Sequence, residues 1–157
     1  MAAPRPPSPR LRERGVVIDA SVFLKLLLPE EQSDAVRRLW GKWVEEDTQI
    51  TAPFLLAYEV TSVLRNKVFR GELPSEAGEA AFVAFRTQEI SLLHPEGIEE
   101  KMWTLARQWN LPTSYDAAYL ALAELMDYEF WTADRRFAAA LRKKVPRLFF
   151  ISGRPRE

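Results

Sequence analysis

The sequence predicts an α/β domain in which a central, mostly parallel sheet of about five strands lies between two layers of helices. Its length of 157 residues suits a single domain. After Gly15, short apolar runs alternate with longer amphipathic stretches, which is typical of strands joined by helices. The short runs do not alternate apolar with polar residues, and this indicates strands that are covered on both faces.

The predicted strands are short, apolar and bounded by turn residues. The first is the β-branched run Val16-Val17-Ile18, which lies between Gly15 and Asp19, and this composition favours a buried strand. The complete set covers residues 16–18, 48–52, 90–93, 129–132 and 147–151.

The predicted helices fill the intervals between these strands. Pro29 ends the first helix, and Pro53, which suits the first helical position, begins the third. Val36, Leu39 and Trp43 form the apolar stripe of the second. The complete set covers residues 21–28, 33–46, 53–71, 74–89, 96–109, 114–126 and 135–144.

Both ends of the chain differ from the predicted domain, which covers residues 15–152. Residues 1–14 are rich in Pro and Arg, a composition typical of a disordered arm, and residues 153–157 form a short tail. The arm has basic residues but no apolar run behind them, so we do not expect a signal peptide. No stretch approaches the roughly 18 apolar residues of a membrane span. We therefore expect a cytoplasmic protein without a membrane segment.

The composition excludes several kinds of catalytic site. The chain has no cysteine and one histidine, His94, which excludes disulfides, thiolate zinc sites, iron–sulfur clusters and cysteine nucleophiles. The 22 basic and 22 acidic side chains balance, so net charge alone does not indicate nucleic-acid binding. Hydrolytic chemistry in this chain must therefore use carboxylates, hydroxyls, lysine or a hard metal ion.

Two acids directly follow predicted strands. Asp19 comes after the first strand, and Asp134 follows the fourth strand after Thr132-Ala133. Ligands of open parallel sheets bind beyond the carboxyl ends of the strands, so both acids fall on the edge where a ligand would bind. Each acid has a structural alternative, because Asp is also a common cap for the helix that follows.

Glu59 lies in an unusual position on its predicted helix. On a helical wheel it falls at the edge of the apolar arc that contains Leu56 and Val60. A carboxylate that faces a core costs several kcal/mol unless it is neutralised, paired or bound to a metal. A salt bridge to Arg65 or Lys67 is the alternative, although neither is three or four residues away.

Asp116 completes a set of four acids. It follows Thr113 in a Thr-x-x-Asp pattern that resembles a capping box, while an acid in the first turn of a helix is also a good metal ligand. Four carboxylates therefore fall on two strand ends, one helix face and one helix start. Carboxylates with water suit Mg²⁺ or Mn²⁺, and such ions activate water and stabilise charge on a phosphate. The joint pattern favours metal-dependent phosphodiester chemistry.

Four segments, in their order and spacing, resemble a PIN domain, and specifically the VapC-type toxins of bacterial and archaeal toxin–antitoxin pairs. They are VVIDAS (residues 16–21), YEV (58–60), SYDAAYLALA (114–123) and FWTAD (130–134). The resemblance covers roughly residues 15–152, nearly all of the predicted domain. The chain departs from the family's pattern in its longer N-terminal arm and in Ser62, where many members have Asn.

The resemblance implies a fold, an activity and a site. The fold is a PIN-like three-layer α/β/α sandwich, and the activity is endoribonucleolytic cleavage of RNA with Mg²⁺ or Mn²⁺. The family's four acids, which are both catalytic and metal-binding, correspond to Asp19, Glu59, Asp116 and Asp134. Ser21 and Thr132 match small polar residues that support those acids. The implied partners are RNA, a small antitoxin protein and a second copy in a homodimer.

Two other function classes remain as alternatives. A phosphoryl-handling α/β domain, such as a receiver or a phosphatase, also has an Asp after the first strand. A phosphatase of this kind needs a second Asp two residues later, where this chain has Ser21. A non-catalytic PIN-like binding module is the other alternative. For a nuclease, Lys25, Arg65 and Arg135 are candidates to position RNA.

Overall fold

The structure is a computed structural model that describes residues 14–141 and 143–153. The strands are β1 (Gly15–Ile18), β2 (Gln49–Pro53), β3 (Ser91–Leu93), β4 (Glu129–Thr132) and β5 (Leu148–Phe150). The helices are α1 (Ala20–Leu27), α2 (Ser33–Glu45), α3 (Leu55–Phe69), α4 (Ser75–Thr87), α5 (Ile98–Gln108), α6 (Tyr115–Met126) and α7 (Arg135–Leu141). Apart from Arg14 and Gly153, the predicted arm and tail lie outside the described residues. No helix in the described ranges is long and apolar enough to cross a membrane.

The five strands form one parallel sheet with the order β3-β2-β1-β4-β5. The chain moves outward from β1 to β3, then returns to the other side of β1 to form β4. The direction of strand order therefore changes between β1 and β4. In open parallel sheets, this change opens a crevice at the carboxyl ends of the two strands. The predicted parallel sheet is confirmed.

Helices cover both faces of the sheet. Phe130 and Trp131 are neighbours on β4, so their side chains project from opposite faces. Phe130 contacts Tyr119 of α6 and Phe137 of α7, with ring centroids 6.0 and 5.9 Å apart. Trp131 instead contacts Trp43 of α2 at 5.7 Å. Right-handed crossovers place α1 to α4 on the Trp131 face and α5 to α7 on the Phe130 face, which confirms the three-layer sandwich.

Helix α6 is the most deeply buried helix of the described chain, with every residue of the segment 117–123 in the core. Its four alanines in that segment let the helix approach the sheet closely, and it packs against β1, β2 and β4. Because α6 leads into the start of β4, its own first turn lies at the carboxyl edge of the sheet. This position brings Asp116 to the crevice between β1 and β4.

The third helix begins later than the sequence predicted. Pro53 is the last residue of β2 and aligns with Leu93 of β3, and α3 begins at Leu55. The paired residues of β1 and β2 end at Thr51, so β2 has a neighbour on only one side at Pro53. A proline without an N–H is tolerated there, as it is on an edge strand.

Candidate active site

The structure brings the four predicted acids together around one cavity of about 90 Å³. Asp19 follows β1, Glu59 lies on α3, Asp116 lies on α6 and Asp134 follows β4. The remaining lining residues come from the same segments and are Ala20, Ser21, Tyr119, Phe130 and Phe137. The cavity therefore lies at the carboxyl edge of the sheet, where the strand order changes direction.

Asp19 lies at the bottom of the cavity and is 9% exposed. Its Oδ1 accepts hydrogen bonds from the Ser21 hydroxyl (2.5 Å) and from the Val22 N–H (3.2 Å). Its Oδ2 accepts from the Thr132 hydroxyl at 2.5 Å. The bond to Val22 caps α1, so the capping function predicted as an alternative for Asp19 is present together with its place in the cavity.

Two hydroxyls join the ends of β1 and β4. Ser21 accepts the N–H of Ala133 at 2.9 Å, and Thr132 accepts the N–H of Asp134 at 3.0 Å. A hydroxyl that accepts a backbone N–H directs its own proton elsewhere, and here both donate to Asp19. Together with the Val22 N–H, they fill three of the roughly four acceptor positions of this carboxylate. One position on Oδ2 remains for an external donor or cation.

Glu59 is half-buried and lines the same cavity, where its Oε1 accepts the Tyr119 hydroxyl at 3.1 Å. The salt bridge considered for Glu59 is absent. Lys67 pairs with Glu30 instead, and the Arg65 guanidinium lies 5.7 Å from the ring centroid of Phe69. We call Asp19 and Glu59 the floor carboxylates, because both accept a hydroxyl from the protein within the cavity.

Asp116 and Asp134 lie at the mouth of the cavity and are exposed. The Oδ1 of Asp134 accepts the N–H of Phe137 at 3.0 Å and so caps α7. The capping box predicted for Asp116 does not form, because α6 has no side-chain cap. In the described part of the chain the Asp116 side chain has neither a hydrogen bond nor an ion pair. We call these two residues the rim carboxylates.

Burial raises the pKa of three of the four acids. It raises the pKa of Asp19 to about 6, against the opposing hydrogen bonds from Ser21 and Thr132. Desolvation also raises the pKa of Glu59 and of Asp116, and neighbouring carboxylates add to both shifts. No basic side chain of the described residues lies within ion-pair distance of any of the four. The cavity therefore concentrates negative charge that the described protein does not neutralise.

The donor set fits Mg²⁺ or Mn²⁺ when water molecules complete the coordination of the ion. All four candidate ligands offer oxygen, which these ions prefer, and Asp116 and one position of Asp19 are free to bind. Within residues 14–141 and 143–153, no three acidic or histidine side chains are close enough together to bind one ion directly. Mg²⁺ is usually held by one or two carboxylates and several waters. Water would therefore have to connect an ion to at least part of this set.

Tyr119 is a cavity residue that the reasoning from sequence did not select. Its ring is 3% exposed and stacks on Phe130, while its hydroxyl reaches Glu59. One signal was present, because Tyr119 follows Asp116 by three residues and therefore shares a side of the helix with it. A tyrosine among alanines and leucines also needs a partner for its hydroxyl when it is buried.

The three basic residues considered for RNA do not line the cavity. Lys25 pairs with Glu30 at 3.4 Å, and Arg135 lies near Glu31 at 3.9 Å while its guanidinium covers the ring of Phe150. Arg65 lies over Phe69. His94, which also lies outside the cavity, is exposed and contacts Glu99 at 2.9 Å.

The fold and the site define an α/β domain with an acidic cavity of carboxylates at the switch point of a parallel sheet. Comparison with protein families gives a match to the PIN domain over residues 16–143. This chain belongs to the PIN domain family. The match includes all four cavity acids and both supporting hydroxyls.

Comparison with individual proteins agrees with this assignment. VapC ribonuclease Mb0985 of Mycobacterium bovis is 30% identical over 83% of this chain and 94% of its own length. Ribonuclease VapC1 of Mycobacterium tuberculosis is 32% identical over 79% of this chain and 89% of its own. The crystal structure of Mycobacterium tuberculosis VapC20, described as a Sarcin-Ricin loop cleaving toxin, has the same fold. Its TM-score is 0.59 at 17% identity, over 80% of this chain and 95% of that one.

Proposed function

We propose that this protein is a divalent-metal-dependent endoribonuclease that acts in the cytoplasm as the toxin of a type II toxin–antitoxin pair. Its relatives are ribonucleases of the VapC group. The observation that carries the proposal is the convergence of Asp19, Glu59, Asp116 and Asp134 on one cavity without a neutralising base. A phosphodiester would be repelled by such a cavity unless a cation were present.

The four acids have separate tasks in this proposal. Asp19, Glu59 and Asp116 would hold the principal Mg²⁺ or Mn²⁺, directly or through water, and Asp134 would complete the site or help hold a second ion. When bound, the ion supplies a water nucleophile at neutral pH and stabilises the charge that develops on the phosphate. Ser21 and Thr132 fix the Asp19 carboxylate by donating to both of its oxygens.

The proposed partners follow from the family. The substrate is RNA, a small antitoxin protein inhibits the enzyme, and two copies form a homodimer. The family assignment favours nuclease chemistry over the phosphoryl-handling alternative, and the phosphatase form of that alternative also requires a second acid at the position of Ser21. A non-catalytic binding module would keep the fold without needing the four acids. An RNA cleavage experiment distinguishes such a module from a nuclease.

The test is cleavage of end-labelled structured RNA by the purified full-length protein, with Mn²⁺ and with EDTA. We expect cleavage with Mn²⁺, none with EDTA, and none by the Asp116→Asn variant, because Asn removes the charge of a ligand that has no structural hydrogen bond. Asp127→Asn is the matched control. Asp127 ends the same helix with a φ of 55°, which Asn tolerates, and it lies outside the cavity.

Each outcome of this experiment decides between hypotheses. Cleavage that needs both Mn²⁺ and Asp116, and that survives Asp127→Asn, supports the nuclease. Cleavage by Asp116→Asn at the wild-type rate contradicts the proposed site, and cleavage in EDTA contradicts the metal. If the wild type neither cleaves RNA nor binds Mn²⁺ in a calorimetric titration, the binding module replaces the enzyme.

A further inference from the structure

RNA that reaches the candidate active site needs a source of affinity other than the cavity itself. The cavity is lined by four carboxylates and by no basic side chain. Among the basic side chains nearest in sequence to its walls, Lys25 pairs with Glu30 and Arg135 lies near Glu31, while Arg136 is exposed and points to no acid of the cavity within ion-pair distance. A second kind of contact that binds nucleic acid is aromatic stacking, which depends little on the sign of the local charge.

Two exposed tyrosines directly precede cavity acids in the sequence. Tyr58 comes before Glu59 and is 73% exposed, and Tyr115 comes before Asp116 and is 62% exposed. In the described part of the chain neither side chain has a hydrogen bond or a ring contact. An exposed ring of this size next to a cavity is available to a ligand.

The geometry of α6 places Tyr115 beside the mouth of the cavity. Tyr115 lies four residues before Tyr119, so the two share a helix face and Tyr115 is one turn closer to the N-terminus. Tyr119 directs its hydroxyl to Glu59 across the cavity. Because α6 begins at the carboxyl edge of the sheet, the turn that contains Tyr115 lies between Tyr119 and the solvent, next to the rim carboxylate Asp116.

Tyr58 lies on the solvent side of α3, next to the cavity residue Glu59. The buried residues Leu56, Val60 and Leu64 define the inner side of this helix. Glu59 lies at the border of that side, and Tyr58 is about 100° further round toward solvent. The two tyrosines therefore lie on the outer sides of two helices that contribute acids to the cavity.

Other exposed aromatic residues do not share these features. Phe54 stacks on His94, with ring centroids 5.6 Å apart, and Phe69 is covered by Arg65. Trp103 is 72% exposed, but it lies on α5, which contributes no residue to the cavity. Among these exposed aromatic residues, Tyr58 and Tyr115 each lie beside a cavity acid and have no described ring contact or hydrogen bond of their side chain.

We propose that Tyr115 stacks on an unpaired nucleobase next to the scissile phosphate, and that Tyr58 provides a second stacking surface for a neighbouring base. This inference rests on the proposed ribonuclease function and specifies how its substrate is held. A stacked base must leave its helix, so the favoured substrate is RNA with unpaired residues at the cut. The contact is independent of base identity, because every base has an aromatic face.

The test measures RNA affinity in the Asp116→Asn background, which separates binding from cleavage. The probe is the structured RNA that the wild-type enzyme cleaves, with 5-iodouridine substituted next to the cut. Removing the ring with Tyr115→Ala should weaken binding about tenfold, whereas Tyr115→Phe, which keeps the ring, should bind like tyrosine. The slope of affinity against salt should stay unchanged, because stacking releases no counterions. Trp103→Ala is the matched control and should leave affinity unchanged.

The direct readout is photo-crosslinking from the 5-iodouridine, mapped by mass spectrometry. A crosslink at Tyr115 or Tyr58, with the tenfold loss for alanine and the rescue by phenylalanine, supports the proposal. Equal affinity of Tyr115→Ala and its parent, or a loss that phenylalanine does not rescue, overturns it. These results leave the nuclease intact as long as the wild type cleaves RNA, whereas absence of both binding and cleavage refutes the nuclease itself.

Discussion

The floor and the rim of the acidic cavity use the same chemical group in opposite ways. The floor carboxylates, Asp19 and Glu59, are at least half-buried and accept hydroxyls from Ser21, Thr132 and Tyr119. The rim carboxylates, Asp116 and Asp134, are exposed, and no side chain of the described residues donates a hydrogen bond to them. Hydroxyl donors hold the floor in place before any ligand arrives, while on the rim a backbone N–H holds one oxygen of Asp134 and the Asp116 side chain has no described partner.

This difference indicates where preorganisation is strongest. A carboxylate fixed by several donors loses no further side-chain entropy when a cation binds, and catalysis depends on such preorganised charge. Desolvation of a fixed carboxylate also disfavours its charged form, which is why Asp19 has the pKa of about 6. We therefore expect the floor to dominate the pH response, and we expect Asp134, which only completes the proposed metal site, to contribute less to the rate than Asp19.

The first prediction compares the two groups by activity. Asp19→Asn should reduce kcat/KM for RNA about a thousandfold, because a preorganised charge in an enclosed site stabilises the transition state most strongly. Asp134→Asn should reduce it about tenfold, since an exposed charge is screened by water. Kinetics with Mn²⁺ on both variants measure the ratio. Equal losses would contradict the expected difference between Asp19 on the floor and Asp134 on the rim.

The second prediction concerns pH in metal-free buffer. The raised pKa means that the folded protein binds a proton at Asp19 which the unfolded chain releases, so stability falls as pH rises from about 4 to about 6. The span between the ordinary value of 3.8 and about 6 corresponds to about 3 kcal/mol above pH 6. In urea unfolding, the free energy of unfolding of Asp19→Asn relative to that of the wild type should therefore rise by about this amount between pH 4 and pH 7.

A matched measurement checks the origin of that effect. Asp127→Asn, at an exposed position outside the cavity, should show no such gain. Added Mn²⁺ at neutral pH should stabilise the wild type much more than Asp19→Asn. A pH-independent difference between wild type and Asp19→Asn would refute the buried titration.

The third prediction removes one support of the floor. Thr132→Val keeps the side-chain shape but leaves Asp19 Oδ2 and the Asp134 N–H without their partner, so it should destabilise the protein by about 2 kcal/mol. Thr51→Val is the matched control, because Thr51 is equally buried and donates only to the Val16 carbonyl; its cost should be about 1 kcal/mol. Urea unfolding at pH 7 compares them, and equal costs would mean that the Asp19 network adds nothing.

The fourth and smallest effect concerns Tyr119. Tyr119→Phe removes the hydrogen bond to Glu59 and keeps the ring against Phe130, so we expect a three- to tenfold loss of Mn²⁺ affinity, equivalent to roughly 1 kcal/mol. Isothermal titration calorimetry measures it. Tyr128→Phe is the control. It removes a hydroxyl that lies outside the cavity and donates to Gln49. Equal Mn²⁺ affinities of the two variants would show that the hydrogen bond from Tyr119 to Glu59 does not contribute to metal binding.

The sequence contained most of the site because local rules place its acids. Asp19 and Asp134 follow strands that their own composition identifies, and parallel strands end at the same edge of a sheet. Glu59 was recognisable because helical periodicity puts it at the border of an apolar face. These inferences need only neighbouring residues, which is why they survive in the structure.

The contacts between distant segments could not be predicted in the same way. Whether Tyr119 reaches Glu59 depends on the separation of α3 and α6, which no local pattern encodes. The salt bridge from Glu59 to Lys67 was wrong for the same reason, since Lys67 pairs with Glu30 in the distant connection between α1 and α2. Pro53 was assigned to a helix because the local sequence does not show where sheet pairing ends. The pairing of β1 with β2 stops at Thr51, and this leaves Pro53 with a neighbour on β3 alone, where a proline is acceptable.

The bond from Thr132 to Asp19 also has a consequence for synthesis. It joins residues that are 113 positions apart, and the strands that carry them are adjacent only after β4 has inserted beside β1. Contacts of such long sequence separation form late, because the intervening loop must close first. A growing chain that has not yet produced β4 lacks Asp134 and lacks Thr132, the donor to Asp19 Oδ2. Until β4 has been made and has paired with β1, the acidic cavity of the growing chain is therefore incomplete.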